Sequence, residues 1–401
     1  MPESSAAVRV LYSTAETHPS FRADVAVLFG KYLPRLGVQS DLLTLHHVQP
    51  APAWGGGACL TRPGPARGVK RHLLSVLSDV RMLWLARRGY QAVVVRDKSV
   101  GALLGLVAAR LAGIPFVYWM SFPMVEAWAV FARDRGLKEV GLLRWLAAKV
   151  RATLLRWLLY RVVLPGARHV FVQSETMLAD VTKHGLSAKR MTAVPMGVDI
   201  EATTSLQAHG MPSGDSVPTF AYLGTLNRLR QPDLMIEAVA VLATRGVGVK
   251  LMLIGDAEEV ADRQWLQGLI KHHDLEGRIE ITGWLPSAEG QRRCAAAVAG
   301  LSPFPRTELL ESASPTKVVE YFHLGLPVIA NDLPDQAYLI RAAGGSCTPL
   351  TATGFADAMQ DVLARPAHHR AVAQAGQALV RRERSYRALA ELVSCQLRRC
   401  L

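Results

Sequence analysis

Residues 300–331 read GLSPFPRTELLESASPTKVVEYFHLGLPVIAN, and this stretch decides the fold. An apolar run closes at Pro303, a polar loop follows, and Ser314-Pro315 then introduces the helical pattern TKVVEYFHLG. Ser314 suits an N-cap, Pro315 suits the first helical position where a missing N–H costs nothing, and Gly325 suits the C-terminal stop. The backbone N–H groups of Thr316 and Lys317 then lie at the positive end of a helix dipole, with the Lys317 ammonium beside them. Such a tip binds anions. Glu320, one turn further on, brings a carboxylate able to accept two hydroxyl hydrogen bonds from a sugar ring. The β-branched run LPVIAND closes the unit, so strand, loop, helix and strand succeed one another as in a doubly wound α/β domain. The pattern predicts a pocket for a nucleotide diphosphate and its ribose.

Upstream, the same rhythm repeats. In PTFAYLGTLNRLRQPDLMIEAVAVLA a strand ends at Gly224, and Thr225, Arg228 and Arg230 occupy the turn before a helix. Two guanidiniums at such a turn match phosphate oxygens. VKLMLIGDAEE ends its strand at Gly255-Asp256, and RIEITGWLP ends at Gly283-Trp284-Leu285. Right-handed crossovers place all these loops at one edge of one parallel sheet. The polar stretch EATTSLQAHGMPSGDSV, 201–217, reads as a linker. It divides an N-terminal domain, 1–200, from a second domain, 218–384, and residues 385–401 form a final helix that crosses back to the first.

The first half opens β-α-β. Its first strand, VRVLYST, is followed by a loop holding His18, Arg22 and Asp24 at the carboxyl end, where open α/β sheets bind ligands. Polarity is equally what a surface loop shows, so both readings stand. The Gly-, Pro- and Ala-rich segment 49–68 predicts an irregular, mobile stretch. The strand AVVVRDK ends in Arg96, Asp97 and Lys98, and IPFVYWMSFP delivers Ser121, with Glu126 shortly after. These six residues, His18, Arg22, Arg96, Asp97, Lys98 and Ser121, are the candidates for binding on that side. Across 136–162, Leu143, Leu146, Val150, Leu154 and Trp157 recur at helical spacing, flanked by Arg144, Lys149, Arg151 and Arg156, while Trp145, Leu155 and Leu159 form a second face. Such a helix lies either on an anionic membrane surface or in the core with its cations snorkelling to water.

At 401 residues the chain exceeds one core, and 50% hydrophobic with 20% charged residues is a globular composition. Its net charge of +13 attracts phosphates and anionic lipids, but no nucleic-acid-binding motif accompanies it. Five cysteines without a CxxC pair fit a reducing, cytoplasmic location, peripheral to a membrane at most, because no apolar run is long enough to span one. The pairs His272-His273 and His368-His369 do not recommend a metal site.

These motifs, taken together, resemble the GT-B-fold nucleotide-sugar glycosyltransferases of family 4, which are retaining enzymes. The resemblance is strongest over 168–337: SETMLADVTKHG and TAVPMGVDIE resemble the end of the acceptor domain, and YLGTLNRLRQPDLMIEAVAVL, LMLIGDAEE, IEITGWLP and SPTKVVEYFHLGLPVIAND resemble the donor domain in order and spacing. It implies two Rossmann-like domains facing across a cleft. It also implies that Arg228 and Arg230 hold donor phosphates with Lys317 and the Thr316 backbone, that Trp284 and Leu285 line the base pocket, and that Glu320 binds ribose. Thr225, Gly255, Ser312, Ser314 and Pro315 complete the donor side, and Arg228, Lys317 and Glu126 form the catalytic set. The family's paired glutamates fall at Ser312 and Glu320 here, so the first is replaced, with Glu308 or Glu311 as substitutes. Ser121 stands where many members carry a catalytic histidine. The implied reaction needs no metal or cofactor: a hexose passes from a UDP- or GDP-sugar to a lipid-linked saccharide in bacterial surface-polysaccharide assembly. The alternatives are a nucleotide-sugar epimerase and a catalytically degenerate carbohydrate-binding protein.

Overall fold

The computed structural model describes residues 7–65, 68–134, 141–202 and 217–401. Six parallel strands carry the first unit: β1 (Val8–Thr14), β2 (Val38–Leu43), β3 (Ala92–Arg96), β4 (Phe116–Met120), β5 (His169–Val172) and β6 (Met191–Ala193), in the spatial order β2-β1-β3-β4-β5-β6. β3, β4 and β5 are buried along their whole length, as strands covered by helices on both faces must be. One face packs Leu106, Phe116, Tyr118 and Val170, and the other packs Tyr12, Phe29, Trp119 and Phe171.

The second unit repeats the plan with β7 (Thr219–Leu223), β8 (Lys250–Ile254), β9 (Ile279–Ile281), β10 (Ala299–Ser302) and β11 (Val328–Ala330), ordered β9-β8-β7-β10-β11 and again all parallel. The order reverses at β7, and that switch point opens a crevice at the carboxyl ends of the strands.

The units divide as 1–195 with 386–401, and 196–385. Residues 196–200, read from sequence as the end of the first domain, belong to the second. Met196 N donates to Ser314 Oγ, and Val198 pairs with Ser385 and packs on Val318 and Phe322. The linker reading falls mostly on residues 203–216, outside the described ones. The helix Tyr386–Cys400 lies in the first unit, where Tyr386, Leu389, Val393 and Leu397 join Phe29 and Trp119. The segment expected to be mobile instead docks along β2: Ser40 N donates to Gly56 O, Leu42 N donates to Ala58 O, and Trp54 is buried. Glycine permits the approach, since a Cβ on Gly57 would lie 2.5 Å from Asp41 Oδ1.

Candidate functional site

In the second unit, the loops after β7, β8 and β9 and the helix Thr316–Leu324 converge on a pocket of about 320 Å³. Its lining includes Thr225, Arg230, Gly255, Trp284, Leu285 and Lys317, together with Thr316 and Glu320. Two glycines make its floor. A Cβ on Gly255 would stand 2.1 Å from Gly224 O, and one on Gly224 would meet the Lys317 ammonium at 3.2 Å.

The helix itself is seated by Tyr321, whose hydroxyl donates to Leu301 O and accepts from Leu223 N. That side chain ties the helix to β10 and β7 at once. The capping differs from the sequence reading by one residue. Pro315, with ψ 132°, is the N-cap, and Thr316 is the first helical residue. Ser314 is not the cap because its hydroxyl is used elsewhere, donating to Asp335 and accepting from Met196 N. The tip N–H groups are those of Thr316 and its successors, and Thr316 and Lys317 both line the pocket.

Lys317 extends over the Tyr222 ring, with its nitrogen 4.9 Å from the centroid. Arg230 lies over Phe304 at 4.8 Å, and Phe304 is itself clamped through its backbone N–H and C=O by Asn331. Both cations are thus carried on aromatic faces beside the pocket. Arg228 is not part of it. Its guanidinium stacks on Trp265 and pairs with Asp262 at 2.9 Å, away from the lining. Ser312 is buried and likewise outside the lining. Burial pushes the Glu320 carboxyl up, while Lys317 and the Thr316 hydroxyl pull it back. Trp284 is 60% exposed and half-buried Leu285 follows it. Sequence reading did not anticipate Ser287 and Gln291, which line the pocket from the helix Ser287–Ala295. The Pro286-Ser287 start with Glu289 in the first turn was the available signal.

In the first unit the charges at the strand ends face inward. Arg96 is buried and pairs with Asp24 at 2.7 Å and Asp97 at 3.1 Å, and it donates to Ser121 Oγ. Burial opposes the Arg96 charge, but Asp97 and Asp24 outweigh that and hold its pKa above the ordinary value. Asp97 has φ +53° and accepts from both Ser121 N and Ser121 Oγ. Lys98 is buried against Asp79 and Ser13. His18 is buried too, its ring bonded to Pro52 O and set edge-on to Trp54. Of the candidates named at this edge, Arg96, Lys98 and His18 are thus buried and held by ion pairs and hydrogen bonds within the fold. Arg22 stays half-exposed near Asp24. Glu126 accepts from the Tyr160 hydroxyl through Oε1, and its buried Oε2 has no hydrogen-bond partner among the described residues.

Residues 24–202 match the family model described as Glycosyltransferase Family 4, and residues 217–365 match the one described as Glycosyl transferases group 1. Both halves of the chain are thus glycosyltransferase domains, of the family 4 type over residues 24–202 and of the group 1 type over residues 217–365. Similar solved structures give this glycosyltransferase the GT-B fold, with two Rossmann-like domains. Anabaena Alr3699/HepE in complex with UDP and glucose aligns with a TM-score of 0.67 at 14% identity, over 98% of this chain and 100% of that one. A glycosyltransferase from Rickettsia africae reaches 0.71 at 11% identity, over 98% of both chains. The lipopolysaccharide outer core galactosyltransferase WaaB gives 0.62 at 15%, over 98% of this chain and 100% of that one. No curated protein sequence matches the chain.

Proposed function

We propose that this glycosyltransferase moves a hexose, with retention, from a UDP- or GDP-sugar to a lipid-linked saccharide at the cytoplasmic face of a bacterial membrane. The carrying observation is the pocket lined by Arg230, Lys317 and the Thr316–Leu324 helix tip together with Gly224 and Gly255, with Glu320 one turn further along the helix. Positive charge fixed beforehand where a diphosphate departs lowers the barrier for its loss. In this reading the phosphates meet Arg230, Lys317 and the tip N–H groups, Glu320 accepts from the ribose, and Trp284-Leu285 borders the base. Glu126 is the candidate carboxylate on the acceptor side. HepE is solved with UDP and with UDP-glucose, which favours a uridine donor.

The membrane part of the proposal rests on the helix Leu142–Leu158. Its inner face, Ala152 with Leu155 and Leu158, packs on the core, whereas Leu143 is 82% exposed and Leu154 and Trp157 each 59%. Among the described residues no helix is long and apolar enough to cross a membrane, so the contact is one of surface docking. The deciding experiment is a melting panel with UDP and GDP followed by donor turnover with UDP- and GDP-hexoses. A nucleotide at about 100 times its Kd adds about 2.7 kcal/mol. If no nucleoside diphosphate raises the melting temperature, the donor reading is lost.

A further inference from the structure

The chain passes from one unit to the other twice, after Pro195 and after Ser385. Within the second unit both passages end on one buried carboxylate network. Asp335 Oδ2 accepts from Ser314 Oγ at 2.6 Å, and its two oxygens accept from Arg384 at 2.8 and 3.3 Å. Ser314 Oγ in turn accepts from Met196 N at 2.9 Å, and Arg384 O accepts from Val198 N at 2.9 Å. Ser314, Asp335 and Arg384 are all buried. Met196 is the first residue after the outward passage, and Arg384 is the last but one before the return. Ser314 stands two residues ahead of Thr316, at the tip that faces the pocket.

We propose that Asp335 is a positioning residue that fastens the phosphate-binding helix tip to both interdomain passages, so that filling the donor pocket is felt at each of them. This deepens the donor reading and rests on it. A buried carboxylate that accepts from two separate segments, through Ser314 Oγ and the Arg384 guanidinium, holds them in one geometry, because releasing either leaves a buried polar group unpaired. A displacement of Thr316 and Lys317 toward a diphosphate therefore pulls on Ser314, and through it on Met196 and Arg384. The tip cannot move as an isolated loop.

The test is amide hydrogen exchange of the full chain with and without UDP, or GDP if that nucleotide gives the melting shift. In the unaltered protein, saturating nucleotide should slow exchange at Met196, Val198 and Arg384. Ser314→Ala should weaken nucleotide binding roughly tenfold, as loss of a buried hydrogen-bond partner does, and should abolish the nucleotide-dependent slowing at the passages. A merely structural serine would lower the melting temperature and leave that response intact. Asp335→Asn, which keeps the shape and removes the charge facing Arg384, should behave in the same way. If it fails to fold, the Ser314→Ala result decides. Nucleotide binding by the unaltered protein without slower exchange at the passages overturns the proposal alone. So does a Ser314→Ala chain that keeps both affinity and response. Absence of any nucleotide binding overturns the donor reading first.

Discussion

Lys317 and Glu320 stand one turn apart on the same helix and both line the pocket. Lys317→Ala removes the cation placed at the pocket floor, and donor turnover should fall by about 100-fold or more, read as kcat/KM with a UDP-hexose. Arg228→Ala is the contrast. Its partners are Asp262 and Trp265 at the surface, so the change should cost at most about 1 kcal/mol in a thermal melt and leave turnover within a few-fold. Glu320 adds a pH dependence whose sign follows from burial. The folded carboxyl holds its proton above the ordinary value of 4.5. The native state therefore binds that proton more tightly than the unfolded chain, and the stabilisation is full below 4.5 and lost as pH rises through the higher folded value. Ribose recognition runs the other way, because an ionised carboxylate is the stronger acceptor. UDP affinity should rise across the same window, and Glu320→Gln should flatten both curves in melts and titrations taken across it. The positions of Lys317 and Glu320 were legible because a helix start and its next turn are local. The capture of Arg228 by Asp262, and of Arg96 by Asp24, joins residues distant in sequence, and no periodicity in either segment records it.

Among the elements, the helix Leu142–Leu158 shows where sequence reading stops. Periodicity identified two apolar faces on it but not which one the core would take. The structure turns Ala152, Leu155 and Leu158 inward and leaves Leu143, Leu146, Val150, Leu154 and Trp157 to solvent. The adjacent cations are partly spent on aromatic faces, with Lys149 over Trp145 at 3.9 Å and Arg151 over Trp128 at 4.2 Å. Apolar insertion should therefore carry at least as much of the docking energy as charge. A fully buried Leu is worth about 1.5–3 kcal/mol, against about 1 kcal/mol for each cation at an anionic surface. Leu146→Glu with Leu154→Glu should abolish co-sedimentation with phosphatidylglycerol vesicles at low salt, whereas raising the salt should only weaken it in the unaltered protein. Turnover of a soluble donor should be unchanged in the double variant. Binding that survives the double variant but vanishes in salt would make the contact purely electrostatic. The strand-to-loop switches, by contrast, were readable over most of the second half, since β7, β8 and β10 run directly into Gly224, Gly255 and Pro303 and β9 reaches Gly283 two residues on. What that punctuation hid was backbone contact between loops. Gly255→Ala forces a Cβ to within 2.1 Å of Gly224 O, so the pocket floor must open, at a cost of about 1–3 kcal/mol and with loss of the UDP melting shift.

For the molecule as a whole, the two sheets have separate cores, and the chain's last helix serves the first of them although it follows the second in sequence. A chain ending at Ser385 would lose Tyr386, Leu389, Val393 and Leu397 from the face built on Tyr12, Phe29, Trp119 and Phe171. At about 1.5–3 kcal/mol for each large apolar side chain, the loss is comparable with the 5–15 kcal/mol by which whole domains are stable. The second unit keeps its own core, its helix Thr316–Leu324 and its Asp335–Arg384 pair, since Arg384 precedes the cut. Truncation after Ser385 should therefore unfold the first unit selectively. Calorimetry should show one cooperative transition in place of two, and that surviving transition should still rise in temperature when UDP is added. Loss of both transitions would mean that the donor unit depends on the first for its fold, and survival of both would mean that the last helix contributes little to the core it enters.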